Sequence, residues 1–133
     1  MTNRQIITQL NCDEIQSILN GDLKSSDKKV LIVKFTATWC GPCKRIKNDC
    51  YSMFNQLPSN ILIADLDVDL EKNNILYSFM KRKRMVNGIP VLMAWYRSND
   101  RAFWYVPDDS VTGGDINAVK DFLQRVYQRS LSI

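Results

Sequence analysis

Apolar positions along the chain follow two spacings, which predict strands and helices in turn. Three nearly continuous apolar runs are rich in β-branched or aromatic residues, as is typical of strands buried on both faces. These predicted strands span residues 30–35, 61–68 and 91–96. Other segments place apolar residues three to four positions apart, the spacing of amphipathic helices. The predicted helices lie near residues 15–19, 46–57, 75–80 and 116–127.

The segment after the third strand predicts a hairpin at one edge of the sheet. Residues 102–106 are again apolar and aromatic, and residues 98–100 before them are turn formers. Because helices separate the earlier strands, we expect those strands to pair in parallel through right-handed crossovers. The predicted fold class is α/β, with one domain over residues 1–133. Its mixed sheet combines parallel strands with a C-terminal antiparallel hairpin, and helices flank both faces.

Composition narrows the possible functions. The 133 residues are 45% hydrophobic and carry 18 basic against 14 acidic side chains, a net charge of +4. This composition argues against a disordered chain, and no apolar run of about 18 residues predicts a membrane span. The chain has no histidine, which excludes Ser-His and Cys-His catalysis and most catalytic zinc sites. The mild charge argues against nucleic-acid binding, and without a recognisable export signal we expect a cytoplasmic protein.

The strongest chemical signal is the sequence Trp-Cys-Gly-Pro-Cys-Lys at positions 39–44, between a predicted strand and a predicted helix. Two cysteines three positions apart at a helix start can close a small disulfide ring. Free backbone N–H groups and the helix dipole favour a thiolate there. A zinc site would need a second cysteine pair, which Cys12 and Cys50 do not form. A redox-active dithiol is therefore the favoured interpretation, with no metal.

The stretch from Val33 to Lys44 closely resembles the active-site segment of thioredoxins, and Gly-Ile-Pro at 88–90 is a second match. The resemblance implies the thioredoxin fold and a thiol–disulfide oxidoreductase that reduces protein disulfides. Cys40 would attack the substrate disulfide and Cys43 would resolve the mixed disulfide. No bound cofactor is implied, but a thioredoxin reductase or a small thiol would have to return the protein to the dithiol.

The resemblance also implies a substrate-docking surface around the cysteines and a cis peptide between Ile89 and Pro90. The residues assigned to this surface are Trp39, Gly41, Pro42, Ile89, Pro90 and Gly113, the last within the loop 112–114. The Gly-Pro pair between the cysteines is similar to that of reductant members of the family. It disfavours an oxidant or isomerase.

Lys34 departs from the family, because thioredoxins usually carry a buried Asp at this position of the strand. Asp65 occupies the position of a usual Lys on the neighbouring strand. We expect a charge-swapped pair beneath the cysteines, since a lone buried Lys is costly. The alternative is that Lys34 reaches the surface and Asp65 faces water. If the pair forms, we expect a shifted pH profile for the step that Cys43 performs.

Two features leave a second function open. The basic run at 81–84 is either a solvated helix end or a docking site for an acidic protein or a nucleic acid. The aromatic pairs at 95–96 and 104–105 belong either to the core or to a partner surface. Together they allow a thioredoxin-fold scaffold subunit that joins a larger assembly. Cys50 is expected to pack in the core.

Overall fold

The fold is built from five helices, one π-helical turn and four strands in the described part of the chain. The computed structural model describes residues 4–97 and 99–133. The strands are β1 Val30–Thr36, β2 Ile61–Asp67, β3 Val91–Tyr96 and β4 Asp109–Thr112. The helices are α1 Cys12–Ser17, α2 Leu23–Ser25, α3 Gly41–Gln56, α4 Glu71–Arg82 and α5 Ile116–Leu131, and the π-helical turn is Ile18–Asp22. Within the described ranges, no helix is both long enough and apolar enough to cross a membrane.

The four strands form one mixed sheet in the order β2-β1-β3-β4. β1 runs parallel to β2 and antiparallel to β3, and β3 pairs antiparallel with β4. An isolated parallel bridge between Ile7 and Ala64 adds a short contact beyond β2. The predicted mixed α/β architecture is confirmed. The parallel pairing expected of the strands that helices separate holds for β1 and β2. It is wrong for β3, which runs antiparallel to β1 because the chain after α4 enters the sheet beside the carboxyl end of β1, with Val91 opposite Phe35.

Alternate residues of β1 point to two hydrophobic cores on opposite faces of the sheet. Leu31, Val33 and Phe35 pack with the side chains of α1, α2 and α4. Val30 and Ile32 pack with those of α3 and α5. Every residue from Val30 to Phe35 is 0% exposed. Strands covered on both faces read as continuous apolar runs, which is the pattern of this segment.

The second strand of the hairpin was predicted at the wrong place. Residues 102–106 form bends and turns, and the strand that pairs with β3 is β4. The Tyr96 N–H donates to the Asp108 carboxylate at 2.7 Å, and Arg101 forms an ion pair with that carboxylate. These contacts end the ladder before the aromatic segment. Its aromatic side chains pack on α4 instead, where Trp104 stacks on Phe79 at 5.3 Å between ring centroids.

Candidate functional site

The two motif cysteines lie at the N-terminus of α3, where the chain leaves the carboxyl end of β1. Cys40 is the N-cap residue, with extended backbone at φ −86° and ψ 114°. Its Sγ accepts a hydrogen bond from the Cys43 N–H at 3.3 Å. Pro42 stands in the first turn, where a missing N–H removes no helical hydrogen bond. The local sequence therefore fixes the sulfur of Cys40 at the positive end of the helix.

Cys40 and Cys43 form a disulfide in the structure, so this is the oxidised state of the pair. Their Cα atoms lie 5.2 Å apart, within the usual range for a disulfide. Cys40 is 5% exposed and Cys43 is 1% exposed. Cys43 is thus more buried than Cys40, which fits its expected role as the resolving cysteine.

The segment before β3 and the loop after β4 lie beside the disulfide. The Ile89–Pro90 peptide is cis, as the resemblance implies. The Ile89 carbonyl oxygen lies 3.9 Å from Cys40 Sγ. Gly113 adopts φ 104°, which favours glycine, and its N–H donates to the Pro90 carbonyl at 2.8 Å. One backbone hydrogen bond therefore joins the two segments.

Gly114, which belongs to the predicted docking loop 112–114, seats that loop against the cysteine motif. A Cβ at this position would lie 2.8 Å from Pro42 Cβ, closer than real side chains approach. Only a residue without a side chain lets the loop contact Pro42. The Gly-Gly pair at 113–114 was the available sequence signal, although its meaning depended on knowing which helix it faces.

Trp39 is the largest exposed apolar side chain at the site, at 65% exposure. Its indole Nε1 donates to Asp69 Oδ2 at 2.9 Å, which holds the ring at the surface. Gly41 is also exposed. The structure thus brings the predicted docking residues Trp39, Gly41, Pro42, Ile89, Pro90 and Gly113 to one end of the sheet, around Cys40. We call these six residues, together with Cys40, Cys43 and Gly114, the redox rim. The role of the six docking residues in binding substrate stays a prediction.

Lys34 and Asp65 are direct neighbours in the register of β1 and β2. Lys34 Nζ lies 3.5 Å from Asp65 Oδ1, and the two side chains are only 1% and 7% exposed. The pairing expected from the sequence is present, and Lys34 does not reach the surface. The Tyr51 hydroxyl donates a hydrogen bond to Asp65 Oδ2. Lys34 Nζ also lies 5.7 Å from the centroid of the Tyr51 ring.

We call Lys34, Asp65 and Tyr51 the charged layer. A surface cavity of about 370 Å³ joins this layer to Cys43. Lys34, Asp65, Tyr51, Lys44 and Lys47 are among its lining residues. Cys43, Lys47 and Tyr51 follow one another at intervals of four on α3, so they share a helix face. Tyr51 was missed from the sequence, and this spacing from Cys43 is the signal that could have found it.

A family model described as Thioredoxin matches residues 6–112. This chain belongs to the thioredoxin family. The thioredoxin-like protein CITRX, chloroplastic, of Arabidopsis thaliana is 34% identical over 87 residues, which is 65% of this chain and 42% of that protein. Thioredoxin of Equus caballus is 41% identical over 56 residues, or 42% of this chain and 52% of that one. The chain thus spans about half the length of these relatives.

Solved thioredoxins share the fold at low sequence identity. Thioredoxin (Mala s 13) of Malassezia sympodialis has a TM-score of 0.66 at 20% identity, and the match covers 94% of both chains. Thioredoxin of Fasciola hepatica has a TM-score of 0.66 at 19% identity, and the match covers 90% of this chain and 98% of that one. These likenesses support the fold.

The two cysteines outside the motif lack its activating environment. Burial raises the pKa of the Cys50 thiol to about 11, despite the opposing charge of Lys34. Burial, followed by the charge of Asp13, also raises the pKa of Cys12. Cys50 is 0% exposed and packs in the core, as expected from the sequence. Within residues 4–97 and 99–133, no group of three acidic or cysteine side chains could hold a metal ion.

Proposed function

We propose that this chain is a protein-disulfide reductase in which Cys40 is the nucleophile and Cys43 the resolving cysteine. The observation that carries the proposal is the bonded cysteine pair at the start of α3, with Cys40 as the N-cap residue. Backbone N–H groups at a helix start favour a thiolate, which is the attacking species in disulfide exchange. The exposed Trp39 and the Ile89–Pro90 segment offer a surface on which a substrate chain can lie.

The reaction starts from the dithiol form and has two exchange steps. First, the Cys40 thiolate attacks one sulfur of the substrate disulfide. A mixed disulfide forms, and the other substrate sulfur leaves as a thiolate that takes a proton. Then the Cys43 thiolate attacks Cys40 Sγ, which closes the intramolecular disulfide and releases the second substrate sulfur. The substrate gains two electrons, and the protein reaches the oxidised state seen in the structure.

Return to the dithiol needs two electrons from outside the chain. The partners proposed here are disulfide-containing protein substrates, together with a thioredoxin reductase or a small thiol as reductant. A reducing compartment such as the cytosol fits this cycle. Cell fractionation with an antibody to the native protein tests it.

Dithiothreitol-driven reduction of insulin tests the activity. The wild type should accelerate the reaction above the thiol background, and Cys40→Ser should abolish the acceleration. Cys12→Ser is the matched control, because this half-buried thiol lies outside the motif. A folded wild-type protein that does not accelerate reduction of insulin would contradict a general reductase.

A scaffold subunit remains the second candidate, because the structure brings its two proposed surfaces together. Residues 103–105 lie against α4 next to the basic run, with Lys83 Nζ 5.4 Å from the Tyr105 ring centroid. A protein that acts only through this surface would lack insulin reduction and would keep its partner contacts in a Cys40→Ser/Cys43→Ser variant.

A further inference from the structure

The basic run at the end of α4 carries four exposed cations. Lys81, Arg82, Lys83 and Arg84 are all exposed. Among the described residues, none of the four forms an ion pair with a carboxylate. Lys81 Nζ instead lies 5.6 Å from the centroid of the Tyr77 ring, and Lys83 Nζ lies 5.7 Å from that of Phe79. Aromatic faces position such cations but leave their charge in place.

Arg84 occupies a backbone conformation that favours glycine. Its φ is 63°, and it follows the last turn of α4. The Arg84 N–H donates to the Lys81 carbonyl and the Met85 N–H to the Met80 carbonyl, which ends the helix. Glycine or asparagine is usual at this position because a larger side chain is disfavoured in the left-handed region. The guanidinium of Arg84 therefore stands at a position whose backbone conformation favours glycine.

A groove of about 530 Å³ runs beside these cations toward the redox rim. Its lining residues are Lys81, Arg84, Met85, Val86, Asn87 and Thr112. Asn87 lies two residues before Ile89, whose carbonyl oxygen is 3.9 Å from Cys40 Sγ. Thr112 directly precedes Gly113. A chain that lies along the groove therefore passes Arg84 and comes to the segments that carry Ile89 and Gly113, which lie beside the cysteines.

We propose that this groove binds an acidic segment of the substrate, and that Lys81 and Arg84 select disulfides flanked by Asp or Glu. The inference rests on the proposed reductase function and names its substrate class. The lining contains two cations and no carboxylate, so an acidic segment complements its charge. The half-buried Met85 supplies apolar surface for the aliphatic parts of that segment.

A protein segment suits this groove better than a nucleic acid. Single-stranded nucleic acids bind through bases stacked on open aromatic rings. No aromatic side chain lines the groove. The neighbouring rings are already engaged, because Phe79 stacks on Trp104 and meets Tyr105 edge to face. The groove therefore offers positive charge but no aromatic ring on which a base could stack.

Two synthetic disulfide peptides test the selection, with dithiothreitol as the reductant. They share one sequence except for the two residues on each side of the cystine, which are Glu in one peptide and Lys in the other. The readout is the ratio of kcat/KM for the acidic peptide to that for the basic peptide. Each exposed ion pair contributes roughly two- to fivefold, so we expect a wild-type ratio of about ten. The ratio should fall as salt is added, because salt screens exposed charges.

Charge reversal at the groove, Lys81→Glu with Arg84→Glu, should bring the ratio to one or below. The matched control is Lys24→Glu with Lys120→Glu, which changes the net charge by the same amount. Lys24 lies near Tyr96 and Lys120 near Leu57, both away from the cysteines. The control should keep the wild-type ratio. The conservative variant Lys81→Arg with Arg84→Lys should keep it too, because it retains both charges.

The two proposals fail in different ways. A wild type that reduces neither peptide refutes the reductase, and with it the substrate class. Equal kcat/KM for both peptides, or a ratio that survives reversal at the groove, refutes the selection alone. A single-stranded oligonucleotide that inhibits wild type more strongly than a reduced acidic peptide, and not the groove variant, assigns the groove to nucleic acid and overturns the proposal.

Discussion

The redox rim and the layer beneath it lie at the same end of the sheet but differ in how they relate to the family. In the rim, Cys40, Pro42 and the Ile89–Pro90 segment have the arrangement that the resemblance implies. In the layer beneath, Lys34 and Asp65 exchange the charges that thioredoxins usually carry. The rim is held by backbone geometry, namely a helix cap, a cis peptide and a glycine with positive φ. The layer is held by side-chain contacts, namely the Lys34–Asp65 ion pair and the hydrogen bond from Tyr51 to Asp65.

The difference shows which part of the site tolerates change. Backbone geometry at the rim depends on proline and glycine, which other residues replace poorly. A buried ion pair depends only on having opposite charges in contact, so exchanging the two residues across adjacent strands keeps it neutral. The chemistry at the cysteines can therefore stay constant while the buried group that faces them changes identity.

The largest expected effect separates the role of Cys40 as nucleophile from that of Cys43 as resolving cysteine. Cys43→Ser removes the resolving sulfur, so the mixed disulfide on Cys40 should accumulate and turnover should fall by about a hundredfold or more. Mass spectrometry of the protein after incubation with an oxidised peptide measures the adduct. Cys50→Ala should retain turnover, because that thiol is buried and its pKa is raised. Full turnover by Cys43→Ser would show that a reductant in solution resolves the intermediate.

The next effect concerns the stability of the layer beneath. Asp65→Ala leaves the Lys34 ammonium buried without its partner, which should lower the free energy of unfolding by ~3–5 kcal/mol. Replacing both residues, Lys34→Met with Asp65→Val, removes both charges and should stay within about 1 kcal/mol of wild type. Urea denaturation measures both variants. If Asp65→Ala costs less than the double replacement, the pair does not hold the layer together.

A smaller effect should appear in the pH profile of reduction. Lys34 lines the same cavity as Cys43, so its charge favours an anion there. Lys34→Met removes the cation and leaves the Asp65 carboxylate. The loss of the cation and the remaining negative charge of Asp65 both disfavour a thiolate at Cys43. The pH midpoint of the Cys43-dependent step should therefore rise by about one unit. Stopped-flow decay of the mixed disulfide across pH gives this midpoint. An unchanged midpoint would show that Lys34 does not act on Cys43.

Tyr51 should contribute stability that depends on pH. Burial, followed by its hydrogen bond to Asp65, raises the pKa of Tyr51 above its ordinary value of 10.0. Below that pH the hydroxyl is protonated in both the folded and the unfolded chain, so its contribution is fully present. As pH rises further, only the unfolded chain loses the proton, and the contribution falls.

The variant Tyr51→Phe isolates this contribution. It should cost ~1 kcal/mol in urea at pH 7, about the value of one hydrogen bond. The difference from wild type should shrink above about pH 10. Taking the difference removes the titration of Tyr96, whose pKa is also raised by burial. A cost that stays constant from pH 7 to 11 would mean that folding does not raise the pKa of the Tyr51 hydroxyl.

The sequence predicted best those features that one segment decides by itself. The N-cap position of Cys40 follows from the motif and its flanking strand. The contact between Lys34 and Asp65 was expected because the resemblance places oppositely charged residues at these two positions, and a lone buried Lys is costly. The aromatic segment at 102–106 was placed wrongly, since its residues suit a strand and a packed loop equally well. The contact between Trp104 and Phe79 decided the outcome, and only the folded chain brings them together.

Other parts of the site depend on contacts that no single segment contains. In the sequence, Tyr51 is one more apolar position on α3. Only the fold shows that its hydroxyl donates a hydrogen bond to Asp65. The groove beside Arg84 exists because α4 ends next to β4, and nothing in the basic run itself indicates that neighbour. The sequence shows the basic run and the cysteine motif, but it does not show the groove that lies between them.

The smallest effect returns to the rim and tests whether its backbone contacts matter for binding. In Gly114→Ala the added Cβ would lie 2.8 Å from Pro42 Cβ, so the loop must move away from the cysteine motif. Because substrate is expected to lie across this loop, KM for insulin should rise about threefold, with kcat nearly unchanged and ~1 kcal/mol lost in stability. Gly21→Ala is the matched control, since nothing lies within 4 Å of its added Cβ. An unchanged KM with the expected loss of stability would mean that substrate does not reach the loop, which would restrict the docking surface to Trp39 and the Ile89–Pro90 segment.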